Sequence, residues 1–417
     1  MKLLILLALC APAPEPGAAE WPMFRGPKRD GLSPDKGLLK AWPKDGPKLL
    51  WKATGAGIGL SSVTVAGGKV FTMGTRDGKT FIHAFDAAKG GEPLWSAEIG
   101  KGGRENYDGT RCTPTYSDGM VYGVSAYGDF AAVSADKGEA KWAKDYKKDY
   151  GGSHGSWQFA ESPLVDGDRV ILTPGGRDAT LVCLEKKTGK EVWKSAAGGQ
   201  AGYSSVVISN AGGVKQYVTL LASGTVGVDA ESGKLLWKYS DYAGNVANIP
   251  TQIPMGDQVL TVAGYRGRRG KAALLALSKD GDKFTTKEVW SEDKLLNKHG
   301  GVIVVGDRMF GDTDDGGRPY AANVKTGETI WTRGREGTGG GSAAITYADG
   351  MLYVRYANGT MSLVPADGDK YVEKGSFKVP AAGKRRGSSN WSHPVVIGGR
   401  MYLRNDDAIY CHDVKAK

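Results

Sequence analysis

Apolar positions along this chain alternate with polar ones in short runs broken by Asp-Gly or Gly-Gly pairs. "VAGGKVF" (65–71), "YSDGMVY" (116–122), "VDGDRVI" (165–171), "PMGDQVL" (254–260), "VVGDRMF" (304–310), "YADGMLY" (347–353) and "VIGGRMY" (396–402) share one layout: apolar strand, tight turn, apolar strand. "ISNAGGVKQYV" (208–218) repeats it with a longer turn. A period of two around an Asp-Gly turn predicts a β-hairpin. A second phrase interleaves with the first: "DAAKGGEPLW" (86–95), "SADKGEAKW" (134–142), "EKKTGKEVW" (185–193), "DAESGKLLW" (229–237) and "NVKTGETIW" (323–331). Its glycine serves a turn that needs the left-handed conformation, and its Trp ends an outward strand.

The two phrases alternate at a regular spacing. Trp51, Trp95, Trp142, Trp193, Trp237, Trp290 and Trp331 are 44, 47, 51, 44, 53 and 41 residues apart, and Phe377 fills the next slot 46 residues on. Four antiparallel strands per period of this size predict a propeller blade. The reading is an all-β, eight-bladed β-propeller with four-stranded antiparallel blades. Trp51 in "PKLLW" has no hairpin before it and "AIYCHDV" has no Trp strand after it. The N-terminal strand is therefore expected to close the last blade and hide two sheet edges. The expected organisation is a signal peptide (1–19), a Pro/Gly-rich N-terminal strap (20–48) and a single propeller (49–417).

Composition agrees with many short strands: 63 of the 417 residues are Gly, 18 Pro and 11 Trp. "MKLLILLALCAPAPEPGAAE" places Lys2 before a short apolar run and small residues before Glu20, which reads as an export signal. Lipid anchoring at Cys10 is disfavoured because Leu9 stands where a small residue is needed. The mature chain is expected to be periplasmic or secreted, monomeric, and without a transmembrane segment. A net charge of +10 would suit nucleic acid in the cytosol, but the leader argues against that partner. Cys112, Cys183 and Cys411 remain after cleavage, an odd and scattered set that reads as small core residues. No Walker-type loop, G-x-S-x-G elbow or H-E-x-x-H pair occurs, so those hydrolytic chemistries lack support.

In such a ring the loops entering the innermost strands converge over the axis. They carry Arg111, His154, Trp157, Glu161, Tyr203, Asn245, Asn248, His299, Trp391 and His393. His154, His299 and His393 are three of the five histidines and occupy equivalent loops. Together these residues read as a polar mouth with aromatic and cationic walls, suited to a planar anion or a sugar. Trp21, Phe24 and Arg25 of the strap could also shape it. The alternative is that the same polar groups hold neighbouring blades together.

The order A-x-D-x-x-T-G-K-x-x-W resembles the tryptophan-docking repeat of pyrroloquinoline-quinone (PQQ) dehydrogenases and their PQQ-like repeat relatives, from Trp51 to the C-terminus. "WPMFRGPKRDGLSP", "ESPLVDGD", "NIPTQ", "KHGGV" and "SHPVVIGG" look closest to secreted PQQ-like propeller proteins. The resemblance implies PQQ and calcium as possible cofactors. Trp157 or Trp391 would be the quinone floor, and Arg111 or Arg266 would hold its carboxylates. Glu161, Asn245 and Asn248 would be metal ligands, and Glu161, Asp312, Asp314 or Asp315 weak candidates for catalytic or cation-binding carboxylates. The adjacent-cysteine disulfide of those enzymes is absent, as is a C-x-x-C-H haem site. The leading expectation is thus a binding scaffold for a small molecule, glycan or protein at the loop face. A quinoprotein alcohol or sugar dehydrogenase and a carbohydrate-binding or carbohydrate-active propeller are the alternatives.

Overall fold

Asp-Gly and Gly-Gly pairs turn the chain back on itself because glycine accepts the positive φ these corners require. In the computed structural model, which describes residues 19–102, 109–241, 248–264, 270–313, 316–380 and 390–416, the hairpins assemble into four-stranded antiparallel units in chain order. Their strands lie within 64–101, 115–145, 164–195, 207–239, 253–292, 303–332 and 343–378, here units 1 to 7. Unit 8 combines three C-terminal strands (395–413) with Leu49–Ala53. There Trp51 pairs with Cys411, Lys52 with Tyr410 and Ala53 with Ile409, all antiparallel. The chain is a β-propeller, closed by hydrogen bonds between its two ends.

Each unit begins with a short inner strand, such as Thr64–Ala66, Thr115–Ser117 or Leu164–Asp166, and inner strands touch between units 1 and 2, 2 and 3, 4 and 5, 6 and 7, and 7 and 8. Apolar side chains fill the seams between units. Val65, Phe85 and Tyr402 join unit 1 to unit 8, whereas Ile303, Phe310 and Tyr356 join unit 6 to unit 7. No unit buries both of its faces alone, so the packing that stabilises one unit is shared with its neighbours.

The repeated Trp is the clamp of each seam. Trp142 of unit 2 lies on the turn of unit 3, where a Cβ on Gly189 would come within 2.5 Å of the indole ring. Gly189 thus has a second reason to be glycine besides its φ of 70°. Trp51, Trp95, Trp193 and Trp290 cover Gly90, Gly138, Gly233 and Gly327 in the same way. The indole N–H then donates to a carbonyl of the next unit, as in Trp51 to Ala87 (3.2 Å), Trp142 to Lys186 (3.0 Å) and Trp290 to Val324 (3.0 Å). Trp237 breaks the series. Unit 5 has the longer hairpin "SKDGDKF" in place of the Gly turn, and Trp237 donates to Gln216 Oε1 (2.6 Å) within its own unit. Phe377 occupies the next slot, packed on Trp42 and His412 with Gly46 beneath it.

Segment 20–48 crosses the ring on the inner-strand side. Trp21 exchanges backbone hydrogen bonds with Val65 (2.8 and 2.9 Å) in unit 1, and Pro22 O accepts from Tyr116 N (2.7 Å) in unit 2. Arg29 donates to Ser162 O (3.0 Å), Val206 O (2.9 Å) and Pro163 O, between units 3 and 4. Leu32–Ser33 pairs in parallel with Tyr347 and Ala348 in unit 7. No helix among the described residues is long and apolar enough to cross a membrane.

Candidate functional site

Four residues before the end of each inner strand, the chain passes close to the axis. Ser62, Thr113, Ser162, Ser205 and Thr251 occupy that register in units 1 to 5. Ser62 N–H donates to Thr113 Oγ1 (2.9 Å), Thr113 N–H to Ser162 Oγ (3.0 Å) and Ser162 N–H to Ser205 Oγ (3.0 Å). The hydroxyls of units 2 to 4 thus satisfy the amides of units 1 to 3, as buried backbone donors require. In unit 8 the register holds His393, whose carbonyl accepts Ser62 Oγ–H (2.6 Å), and in units 6 and 7 it holds Gly301 and Ala344.

These residues form one side of an axial cavity of about 300 Å³, at the small end of the range for small-molecule sites. From the strap side come Phe24 and Arg25; from the entry loops come Arg111, Trp157, Tyr203, Lys298, His299 and Trp391. The His299 and Trp391 rings stack at 3.7 Å and 7°, and Trp157 meets Tyr203 edge-on at 6.0 Å. Trp157 N–H is held by Tyr203 Oη (3.0 Å). Phe24 lies edge-on to His393 at 4.9 Å.

The lining is cationic, and no described residue lining it carries a carboxylate. Arg25 is 2% exposed and its φ of 65° lies in the left-handed region. Its Nη2 donates to Val302 O and to Asp30 O (3.2 Å), while Nε and Nη1 have no partner. Burial lowers the Arg25 pKa to about 10, with Asp30 opposing. Burial, reinforced by the charge of Arg25, lowers His393 to about 3, so its imidazole is neutral at physiological pH.

Six sequence candidates therefore converge on this cavity: Arg111, Trp157, Tyr203, His299, Trp391 and His393. Four others sit elsewhere. His154 Nδ1 contacts Gly155 O (2.7 Å) and its ring meets Phe159 edge-on, away from the cavity. Glu161 is buried in the seam, where Oε1 accepts from Tyr146 Oη–H (2.7 Å) and Thr173 N–H (2.6 Å). Burial raises its pKa against the pull of those donors. The Asn248 amide donates to Leu221 O (2.6 Å), and Asp312 Oδ2 accepts Ala343 N–H (2.9 Å) between units 6 and 7. Asn245, Arg266, Asp314 and Asp315 lie outside the described residues. Sequence reasoning passed over Lys298 and the hydroxyl register. The signal for the latter was a small hydroxyl residue recurring ahead of each hairpin in "SSV", "TPT", "SPL", "SSV" and "TQI".

The PQQ-like repeat family model described as outer membrane protein assembly factor BamB matches residues 35–156 and 78–333. The chain belongs to that family. It is 24% identical to tetrathionate hydrolase of Acidithiobacillus ferrooxidans over 90% of this chain and 79% of that protein. It is 26% identical to the assembly factor BamB of Burkholderia pseudomallei, over 66% of this chain and 68% of that protein. Quinohemoprotein alcohol dehydrogenase ADH IIB of Pseudomonas putida is 29% identical, but over 36% of this chain and 23% of that enzyme. Among solved structures, the quinohemoprotein alcohol dehydrogenase of Comamonas testosteroni aligns with a TM-score of 0.64 at 13% identity, over 95% of this chain and 81% of that one. BamB of Moraxella catarrhalis aligns at 0.56 and 15%, over 86% and 95%. Both structural likenesses concern the fold.

PQQ with calcium does not fit the described donor set. Calcium requires several hard oxygen ligands, carboxylates foremost. Glu161 and Asp312 are engaged in the seams instead, and no group of three His, Cys, Asp or Glu among the described residues is placed to hold a metal. One face of Trp391 is also covered by His299.

Proposed function

We propose that this chain is an exported binding propeller that takes a small anion, partly planar, into its axial cavity. The observation that carries this reading is the lining: Arg25, Arg111 and Lys298 beside Trp157, Tyr203 and Trp391, with no described carboxylate. Cations in a partly desolvated site attract anions strongly, and aromatic faces accept flat apolar bodies. The similarity to an enzyme named for tetrathionate, a dianion, points the same way. Family membership beside an outer membrane protein assembly factor supports an exported location and leaves a role for protein docking at the same face.

The test is a thermal-shift and calorimetric screen of the mature protein. Its panel holds tetrathionate, aromatic carboxylates, neutral sugars, and PQQ with calcium plus an alcohol and a reducible dye. A bound ligand raises the melting temperature by mass action. Stabilisation by anions that weakens with added salt is expected. Dye reduction in the PQQ arm would restore the dehydrogenase reading, and stabilisation by sugars alone would transfer the site to glycans.

A further inference from the structure

Arg25 is the most unusual group at the cavity. It is fully buried, keeps two of its three guanidinium nitrogens, Nε and Nη1, without acceptors, and comes from the strap rather than from a blade loop. A buried guanidinium normally finds a carboxylate or a full set of carbonyls. Arg29, four residues on, does so, with three carbonyls from two units. Arg404 likewise donates to Thr72 Oγ1 (2.7 Å), Ala56 O (3.2 Å) and Gly57 O (3.0 Å). Arg25 has only the Val302 and Asp30 carbonyls, both on Nη2.

The chain makes room for this arrangement. Gly301 stands where units 1 to 5 place a hydroxyl residue, and a Cβ there would collide with Arg25 Nη1. Gly301 also has a φ of 63°, which disfavours any side chain at that position. One position in the polar ring is thus vacated for a guanidinium. The neutral His393 and the rim cations Arg111 and Lys298 bring no negative group into the described lining, and the charge that opposes burial at Arg25 is Asp30, outside that lining.

We infer that Arg25 is the anion-recognition residue of the axial cavity, and that its ligand is an organic acid whose carboxylate or sulfonate accepts from the guanidinium while a planar body lies among Trp157, Tyr203 and Trp391. This rests on the binding reading above and names the ligand class within it. The N–H groups on Nε and Nη1 lie on different edges of the guanidinium, and each offers a charge-assisted donor to an acid oxygen. Losing a charge-assisted pair of this kind corresponds to about 10- to 100-fold in affinity.

The experiment titrates the full mature chain with benzoate, benzenesulfonate and the uncharged isosteres benzamide and benzenesulfonamide, reading quenching of tryptophan fluorescence and heat. Expected is binding of at least one acid, about 10-fold or more tighter than its amide in the wild type. Arg25→Gln and Gly301→Ala should remove that preference, bringing the acid-to-amide affinity ratio to within about threefold. Comparing carboxylate with sulfonate separates the two acid chemistries. If Arg25→Gln does not fold, the acid-to-amide ratio of the wild type and the folded Gly301→Ala still decide the matter. Equal binding of acid and amide, or an undiminished preference in folded Arg25→Gln, overturns the role of Arg25 and leaves the binding site standing. Failure of all four probes to bind overturns the ligand class and the site reading together.

Discussion

The imidazole of His299 lies flat on the indole of Trp391, 3.7 Å away and 7° from parallel, although the two residues belong to units 6 and 8. The contact bridges the cavity wall over the intervening unit 7. A stacked aromatic pair is worth about 0.5–1.5 kcal/mol beyond its buried area. A double-mutant cycle with His299→Ala and Trp391→Ala, followed by urea unfolding, should therefore show coupling of about 1 kcal/mol. Strict additivity would mean that the stack does not persist in solution.

Trp142 and Gly189 form one joint across the seam between units 2 and 3. Trp142→Ala is expected to cost about 3–5 kcal/mol, as for other large aromatic truncations. Gly189→Ala should be destabilising on its own, through both the positive φ and the lost docking surface. Because both changes act on the same contact, their combined cost should fall below the sum. Denaturant melts of the two single variants and the double variant measure this.

Acid should weaken the fold in a defined window. Burial lowers His83 from 6.5 to about 3, with the charges of Arg404 and Arg76 adding to the effect. The unfolded chain then binds more protons than the native one between those values. Stability from keeping His83 neutral is full above pH 6.5 and is lost progressively as the pH falls toward 3, at about 1.4 kcal/mol for each pH unit crossed. His393 acts in the same direction. Melting temperatures between pH 7 and 4 should decline less steeply in His83→Gln than in the wild type, and equal slopes would refute the assignment.

The three described cysteines are free and buried. Burial pushes Cys112 and Cys411 up to about 12 and Cys183 to about 11. A thiol reagent at pH 8 should therefore leave the native protein unlabelled. Ala53→Pro removes the amide donor opposite Ile409 in the strand that closes unit 8, two residues from the Trp51–Cys411 pair. In that variant Cys411 should be labelled before Cys112 and Cys183, as peptide mapping after timed quenching would reveal. Equal rates for all three would place the weakest seam elsewhere.

The repeating architecture was legible in the sequence because turns and docking tryptophans are local signals. "EKKTGKEVW" needs no knowledge of the rest of the chain to read as a turn and an outer strand. The closure of the last unit by the strand of Trp51 was legible for a related reason, since an unpaired strand at each end leaves one way to satisfy both edges. The site was harder. Arg111, His154 and Glu161 look equally suited to a ligand in one dimension, yet only the first reaches the cavity. Which way a loop side chain turns depends on seam partners such as Tyr146, Thr173 and Phe159, and these are set by packing. The part played by Arg25 was hidden more deeply, because it depends on what Gly301 omits.

The order in which the chain is made has a bearing on when this molecule can work. Arg25 leaves the ribosome 277 residues ahead of its carbonyl acceptor Val302, and the His393 side chain follows later still. No nascent or truncated fragment owns a complete recognition chamber. Occupancy would therefore report that circular assembly has finished, and a released fragment would be silent by construction.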